Sequence, residues 1–409
     1  MHWYLWNRNQ IFMFKYIGLI VLAIGLSKVA AAQKIISVSE AVNLGLANSK
    51  NLEASKLNIK QQQQLVKSSI NIPNPDFFWE SPTGKFYTGS ITQSIEFPTV
   101  YAKQKQLQKA QISVSEKEKV LTEFEIKYLV RTLYVELQYA DTLIHQLYGQ
   151  DTLYNRIREA AIRQFNAGQI NYLEQTFAEA QYGEVHYQYL QSITRVTAIQ
   201  QQLQWITGIK DSIIPEPISA YPFENLSVAQ LPDSSWIYSN PGLQVLNQQK
   251  IVAQKNVQLQ KNKALPGLAF GYFNQGERET LTRNRFRFGA TLPLWFWQYK
   301  GNIDAAKTAQ QVIEKQQQGL MQQLSSQTLN ARGEIVANWQ SITYHQQTGL
   351  PKAKEVITTS RRFFESGEID YVNFLRTTND AFAIYLRYLE SLRNYNLSVI
   401  NYNYLTGSL

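Results

Sequence analysis

Beyond position 32 the chain carries three histidines, His145, His186 and His345. Imidazole is the commonest metal ligand and general base, but a metal centre needs three or four ligands converging at fixed spacing. No histidine or carboxylate cluster with that spacing accompanies any of the three. Cysteine is absent, which removes thiolate sites, disulfides, cysteine nucleophiles and a lipid-modified N-terminal cysteine together. Met321 is the sole methionine after position 32, so there is no methionine ladder for copper. No nucleophile–base pair, glycine-rich phosphate loop or carboxylate pair stands out either. Catalysis, a cofactor and a bound metal are therefore not expected. The chemistry left is that of faces and edges.

Those faces belong to elements written in the periodicity. The chain has 409 residues, of which 44% are hydrophobic, 12% aromatic and 17% charged, with a net charge of +9. That apolar content excludes disorder. After the first thirty positions no apolar run reaches about 18 residues, so a helical inner-membrane protein is excluded. Residues 1–32 have the form of a secretory signal. Arg8 and Lys15 precede the apolar stretch Tyr16–Leu26, and Ala30–Ala32 offers a cleavage site before Gln33. Their removal takes three positive charges and no acids, lowering +9 to +6 without leaving a basic run. Nucleic acid is not an expected partner.

One unit is written twice. Arg163–Tyr172 (RQFNAGQINY) and Arg362–Tyr371 (RFFESGEIDY) share Phe, Gly, Ile and Tyr at an offset of 199. The same offset maps Thr207-Gly208 onto Thr406-Gly407, and strand-like segments ending at Pro98 and Pro293 correspond at an offset of 195. The halves span 33–208 and 236–409, joined by a Pro-rich connector, 209–235, too broken for helix. Each half predicts an opening helix (39–70; 236–263, with Ser39 as an N-cap), a β-hairpin (76–97; 267–294), a long helix (100–166; 299–366), a glycine turn and a return helix (171–206; 370–405). Ile126, Val130, Leu133, Leu137, Ala140, Ile144 and Leu147 recur at 4-3 spacing, as do Ala381, Tyr385, Tyr388, Leu392, Tyr395, Val399 and Tyr402. Sustained spacing of this kind makes coiled-coil seams. Gly149 and Gly349-Leu350-Pro351 predict kinks in the long rods. The lengths suggest that 171–206 and 236–263 stack end to end against 100–166.

The strand segments alternate. Tyr87, Gly89, Ile91, Gln93, Ile95 and Phe97 interleave with Thr88, Ser90, Thr92, Ser94 and Glu96. Phe286, Phe288, Ala290, Leu292 and Leu294 interleave with Arg285, Arg287, Gly289 and Thr291. One apolar and one polar face is the pattern of a transmembrane β-barrel strand; a one-sided soluble sheet is the alternative. Phe77, Phe78 and Trp79 enter the first hairpin, and Trp295, Phe296 and Trp297 leave the second. They are expected at one end of the strands, as an aromatic girdle at the lipid headgroups. Four strands cannot close a barrel, and open edges cannot sit in lipid. Twelve strands from three chains would enclose an aqueous lumen, so a homotrimer follows if the strands span. Arg283, Arg285 and Arg287 share a face there; in a trimer they could form a lumen ring that selects against cations, or snorkel toward the loops.

On the paired Arg-x-Phe-x-x-Gly-x-x-x-Tyr turns, each followed by a heptad helix ending in Thr-Gly, residues 33–409 resemble the TolC family of outer-membrane efflux proteins. The resemblance implies an α+β membrane protein in the outer membrane of a Gram-negative bacterium. It implies a homotrimer, with a twelve-stranded barrel continued by a periplasmic α-helical coiled-coil barrel. The implied partners are a periplasmic adaptor and an inner-membrane RND-type pump. The compact length and absent cysteine look most like the heavy-metal branch (cobalt-zinc-cadmium or copper-silver). The turns, with Phe165, Gly168, Ile170 and Tyr172 and with Phe364, Gly367, Ile369 and Tyr371, would form the docking tip. Some relatives carry an aspartate ring six and nine residues past the second turn glycine, where this chain has Asn373 and Arg376. Glu174 keeps an acid in the first half, and Glu368 and Asp370 are nearby candidates for the constriction. The resemblance also leaves open a protein-secretion duct, and the coiled coils alone a soluble periplasmic adaptor.

Overall fold

A proline, with no side-chain cap before it, sets where the first long rod begins. Pro98, with its fixed φ, opens helix α3, Pro98–Asn166, which at about 1.5 Å per residue is about 100 Å long. The computed structural model describes residues 35–81, 84, 87–223, 234–274, 281 and 285–409; the expected signal at 1–32 and Arg283 lie outside them. Before α3 come β1 (Ile35–Ile36), α1 (Val38–Asn48), α2 (Lys50–Ser68), β2 (Asp76–Glu80) and β3 (Thr88–Ile95). After it come α4 (Tyr172–Thr207), β4 (Ile214–Pro215), a 3₁₀ helix (Ser234–Ser239), α5 (Pro241–Lys263), β5 (Gly267–Phe273) and β6 (Phe286–Thr291). The chain ends in α6 (Phe296–Tyr344), a π-helical segment (His345–Gly349), α7 (Leu350–Glu365) and α8 (Tyr371–Thr406).

Three sequence expectations change here. The opening helix is capped by Ser37, whose hydroxyl accepts from the Glu40 N–H at 3.2 Å, and not by Ser39. It is then interrupted, because Ser49 caps a second helix by accepting from Leu52 N–H at 3.2 Å. In the rods, Gly149 makes no kink: α3 runs through it. A glycine costs an exposed helix only about 1 kcal/mol. Pro351 both lacks an N–H and clashes with the preceding turn, and the five-residue π segment just before it absorbs the misfit. His345 packs so closely that a Cβ on Gly349 would lie 2.8 Å from its Nδ1.

The seams pack as heptads. Val130, Leu137 and Ala140 of α3 are buried with Ile199 and Leu203 of α4 and with Ala41 and Val42 of α1. Ile335 and Ile342 of α6 meet Leu392, Tyr395 and Val399 of α8. Within the chain α8 lies against both α3 and α6–α7. The end-to-end stacking differs from expectation: α4 meets the opening helices of its own half. Asn48 donates to the carbonyls of Trp205 (3.3 Å) and Ile206 (3.2 Å). Asn240 likewise accepts from Leu243 N–H at 3.2 Å and donates to Leu405 O at 3.0 Å, joining α8 to α5. Each asparagine satisfies carbonyls that a helix C-terminus leaves orphaned, a contact no periodicity reveals.

The connector pairs β4 with β1 in parallel. It then runs across Asn396, which donates to Ser219 O at 2.8 Å and accepts from Tyr221 N–H at 2.9 Å. Burial pushes the Tyr221 hydroxyl up to about 12. The remaining four strands form one antiparallel sheet in the order β2-β3-β5-β6. Its ladders are shorter than the alternation in sequence, and Pro293, which has no N–H to donate, lies just past β6. No described helix is long and apolar enough to cross a membrane.

Candidate functional site

The two ends of the molecule carry the candidate residues. At the sheet, register decides the faces, because directly opposed residues project to the same side. Phe77 opposes Ile91, Ile91 opposes Tyr272, and Tyr272 opposes Phe286. Trp79, Gln93, Phe270 and Phe288 follow on that face by alternation. Asp76 opposes Thr92, Thr92 opposes Gly271, and Gly271 opposes Arg287, which defines the polar face. The apolar stripes of the two hairpins therefore merge into one surface. Phe77 (69%), Trp79 (65%), Phe286 (55%) and Phe288 (87%) are all exposed on it. Such a patch is uncommon on a protein surrounded by water. Along its rim Trp79 stacks between Phe77 and Tyr87, with ring centroids 6.5 and 6.2 Å away.

The expected girdle at one strand end is corrected by this register. Phe77 and Trp79 lie toward the loop end, level with Ile91 and Gly89. Trp295 and Trp297, with centroids 5.2 Å apart, lie past Thr291 at the helix end. Phe78 opposes Ser90 and so leaves the aromatic band for the polar face. A one-residue step along a strand reverses the face, and the run Phe-Phe-Trp hid which member would turn inward.

At the far end, both turns are Schellman motifs. Gly168 has φ +69°, its N–H reaches Phe165 O at 2.9 Å, and Gln169 N–H reaches Gln164 O at 2.9 Å. Gly367 has φ +78°, with Gly367 N–H on Phe364 O at 3.2 Å and Glu368 N–H on Phe363 O at 2.8 Å. A left-handed residue is required at that position, and glycine adopts it without the Cβ clash. The turn aromatics then pair, Phe165 with Tyr172 at 5.9 Å and Phe364 with Tyr371 at 4.6 Å. Tyr371, Phe374 and Leu375 are buried against Tyr154, Ile157 and Ala161, with Ile170 and Ile369 packed on the same cluster. Burial pushes the Tyr154 and Tyr371 hydroxyls up, and the Tyr154 hydroxyl finds no hydrogen-bond partner there.

Crystal structures of other proteins share this arrangement. The Campylobacter jejuni CmeC outer membrane channel matches with a TM-score of 0.73, at 15% identity, over 91% of this chain and 85% of that one. The fold is TolC-like. CusC, whose crystal structures concern transmembrane channel formation, matches this TolC-like fold with a TM-score of 0.73 at 14% identity, over 90% of this chain and 92% of that one. The open state of the Neisseria gonorrhoeae MtrE outer membrane channel matches with a TM-score of 0.68 at 15% identity, over 91% and 89%. No protein-family model and no curated protein matches the sequence.

In this TolC-like frame the acids at the tip hold the turns. Glu174 accepts from Asn171 N–H at 2.9 Å while Asn171 accepts from Glu174 N–H at 3.0 Å, a complete capping box. Asp370 accepts from Asn373 N–H at 2.8 Å, and Glu368 accepts from the Ser366 hydroxyl at 2.9 Å. Asn373 and Arg376 are exposed on the first turns of α8. The five candidates thus share one end, but three of them already have backbone or turn partners. Arg285, one residue before β6, reaches Asn274, and on the polar face the Arg287 guanidinium sits 3.9 Å from the Phe273 ring centroid. His186 pairs with Asp151 at 2.9 Å between α3 and α4. His145 is exposed beside Asp141, and His345 is buried. No group of three or more metal-ligating side chains forms among the described residues.

Sequence reasoning missed two features. Asp76 and Glu80 also project to the polar face, on the edge opposite the arginines; the alternation D-F-F-W-E carried that signal. A second is a clamp in which Glu136 pairs with Arg195 at 2.8 Å and Arg393 at 3.7 Å. Both guanidinium groups also lie over the Tyr139 ring, at 5.4 and 4.7 Å. It joins α3, α4 and α8, and no local spacing announces it.

Proposed function

We propose that this chain is the outer-membrane duct of a tripartite efflux system, a passive exit channel built from three copies. One observation carries the reading. A sheet with bulky apolar side chains uncovered on one face, polar side chains on the other and both edges open stands at the end of rods about 100 Å long. In hydrocarbon every backbone donor and acceptor needs a partner, so an open sheet must be completed by other copies. Two copies would give eight strands and a filled interior, whereas three give twelve and a wetted lumen.

The two aromatic bands then serve as membrane anchors, Phe77 and Trp79 at the outer interface and Trp295 and Trp297 at the inner one. The rods cross the periplasm, and the turns at Gly168 and Gly367 dock a periplasmic adaptor or an inner-membrane RND-type pump. That pump supplies the work. Glu174, Glu368, Asp370, Asn373 and Arg376 ring the narrowest opening. The cargo class, by resemblance to the heavy-metal branch, is metal cations or drugs, which pass through water and not through a ligand site. Deleting the gene is expected to lower resistance to a pump substrate, with the protein recovered from the outer-membrane fraction. Unchanged susceptibility to every substrate tried, with the protein in the soluble periplasm, would overturn the reading.

A further inference from the structure

We propose that the two open edges of the sheet pair with each other between copies, in the register that sets Arg287 opposite the partner's Asp76 and Phe286 opposite the partner's Phe77. This rests on the three-copy duct proposed above, whose sheets already meet edge to edge, and adds the register of that seam.

The edges are complementary in charge. On the polar face, the β2 edge presents Asp76 and Glu80, and the β6 edge presents Arg287, with Arg285 one residue before the strand. On the apolar face, Phe77 and Trp79 stand at one edge and Phe286 and Phe288 at the other. Since β2 leaves the helices and β6 returns to them, the two edges meet antiparallel, as β3 and β5 do within the chain.

The register comes from the chain's own pairing. Asp76 pairs with Thr92, and 195 positions on, Gly271 pairs with Arg287. The two hairpins therefore correspond at an offset of 195, the same offset that relates Pro98 to Pro293. Between the hairpins, Ile91 pairs with Tyr272 and Thr92 with Gly271. Moving β3 forward and β5 back by 195 turns Ile91–Tyr272 into Phe286 and the partner's Phe77. It turns Thr92–Gly271 into Arg287 and the partner's Asp76. Opposite charges directly across antiparallel strands stabilise pairing. A slip of one residue would set Arg287 against an apolar ring and turn one edge inside out. The Arg287 side chain is held on the correct face by the Phe273 ring, 3.9 Å from its guanidinium. In this register Arg287 is a seam residue, its charge compensated by a carboxylate and not displayed as a cation-repelling ring.

The chain has no cysteine, so paired cysteines report the seam directly. Within one chain Asp76 and Arg287 stand on opposite edges, three strand spacings or about 14 Å apart, too far for a disulfide. Oxidation of Asp76→Cys/Arg287→Cys protein with copper-phenanthroline in outer membranes is expected to give covalent dimers and trimers. Glu80→Cys/Arg287→Cys, displaced by four residues or about 13 Å, is expected to react about tenfold more slowly. A faster Glu80 pair, or no cross-link in either variant while the wild type runs as a trimer, overturns the register and leaves the duct standing. Wild-type protein that runs as a single copy overturns both. A charge exchange gives a second test. Arg287→Asp alone should lower the recovered trimer several-fold, and adding Asp76→Arg should restore it; an exchange no better than the single variant removes the ion pair.

Discussion

Tyr172 and Tyr371 occupy the same place in two turns with the same backbone, yet Tyr172 is 69% exposed and Tyr371 is 4% exposed. Both turns are closed by a left-handed glycine and both tyrosines face a turn phenylalanine. The difference is the neighbour. Helix α8 lies between α3 and α6–α7, so its first turn is covered from both sides, whereas α4 packs mainly on α3 and leaves Tyr172 and Leu173 outside. The rods differ too, since α3 runs unbroken and its counterpart carries a π segment. Local sequence therefore sets a turn, and the surrounding ring of helices sets its burial.

The sharpest way to break this comparison is to truncate both tyrosines. Tyr371→Ala removes a buried ring and is expected to cost about 3–5 kcal/mol, read as faster hydrogen exchange through the first turns of α8. Tyr172→Ala, read the same way through the first turns of α4, should cost less. Equal losses would mean that the two turns are covered alike.

The glycines test what the turns share. No atom lies within 4 Å of a Cβ added at Gly168 or Gly367. Gly168→Ala and Gly367→Ala should therefore cost the same, about 1–2 kcal/mol each, from backbone strain alone. Proline at either position also loses the turn N–H bond. Gly168→Pro and Gly367→Pro are expected to abolish efflux while leaving normal amounts of protein in the membrane, as measured by drug or metal susceptibility beside a fractionation blot.

Capping separates the turns again. Glu174→Ala should destabilise the first by about 0.5–1 kcal/mol, and Asn373→Glu should stabilise the second by a similar amount, by completing its capping box. Exchange rates at Asn171 and Asp370 report both.

The smallest expected effect is a pH dependence confined to the second rod. Burial, and secondarily the Arg387 guanidinium, hold the His345 imidazole below its ordinary 6.5. Arg387 and Tyr388 are the titratable groups of α8 that face it. The unfolded segment thus takes up its proton at higher pH than the folded one. The stability of 340–350 is full above 6.5 and falls as the pH drops below it, toward the folded value. Exchange there, corrected for its intrinsic rate, should quicken on acidification, and His345→Gln should flatten the change.

Much of this architecture was legible because it is periodic or local. Heptad stripes placed Val130, Leu137, Leu392 and Val399 in seams, and Gly-x-x-x-Tyr placed the turns. Strict alternation gave each hairpin two faces and sets Phe78 with Asp76 and Glu80, but only the register showed that this face is shared with Arg287. The stacking of α4 on its own half depends on Asn48 reaching carbonyls 157 and 158 residues away. Gly149 and Gly349 are both expected to kink their rods, and Pro351, two residues past the second, decides which rod deforms. For the strand register and the helix stacking, the missing information was long-range.

The central claim is that three copies complete one membrane-embedded sheet, and the mass of the detergent-extracted outer-membrane protein tests it most directly. Native mass spectrometry is expected to give three chains per particle, surviving removal of bound lipid. A single chain per particle, or protein that needs no detergent to stay in solution, would contradict it.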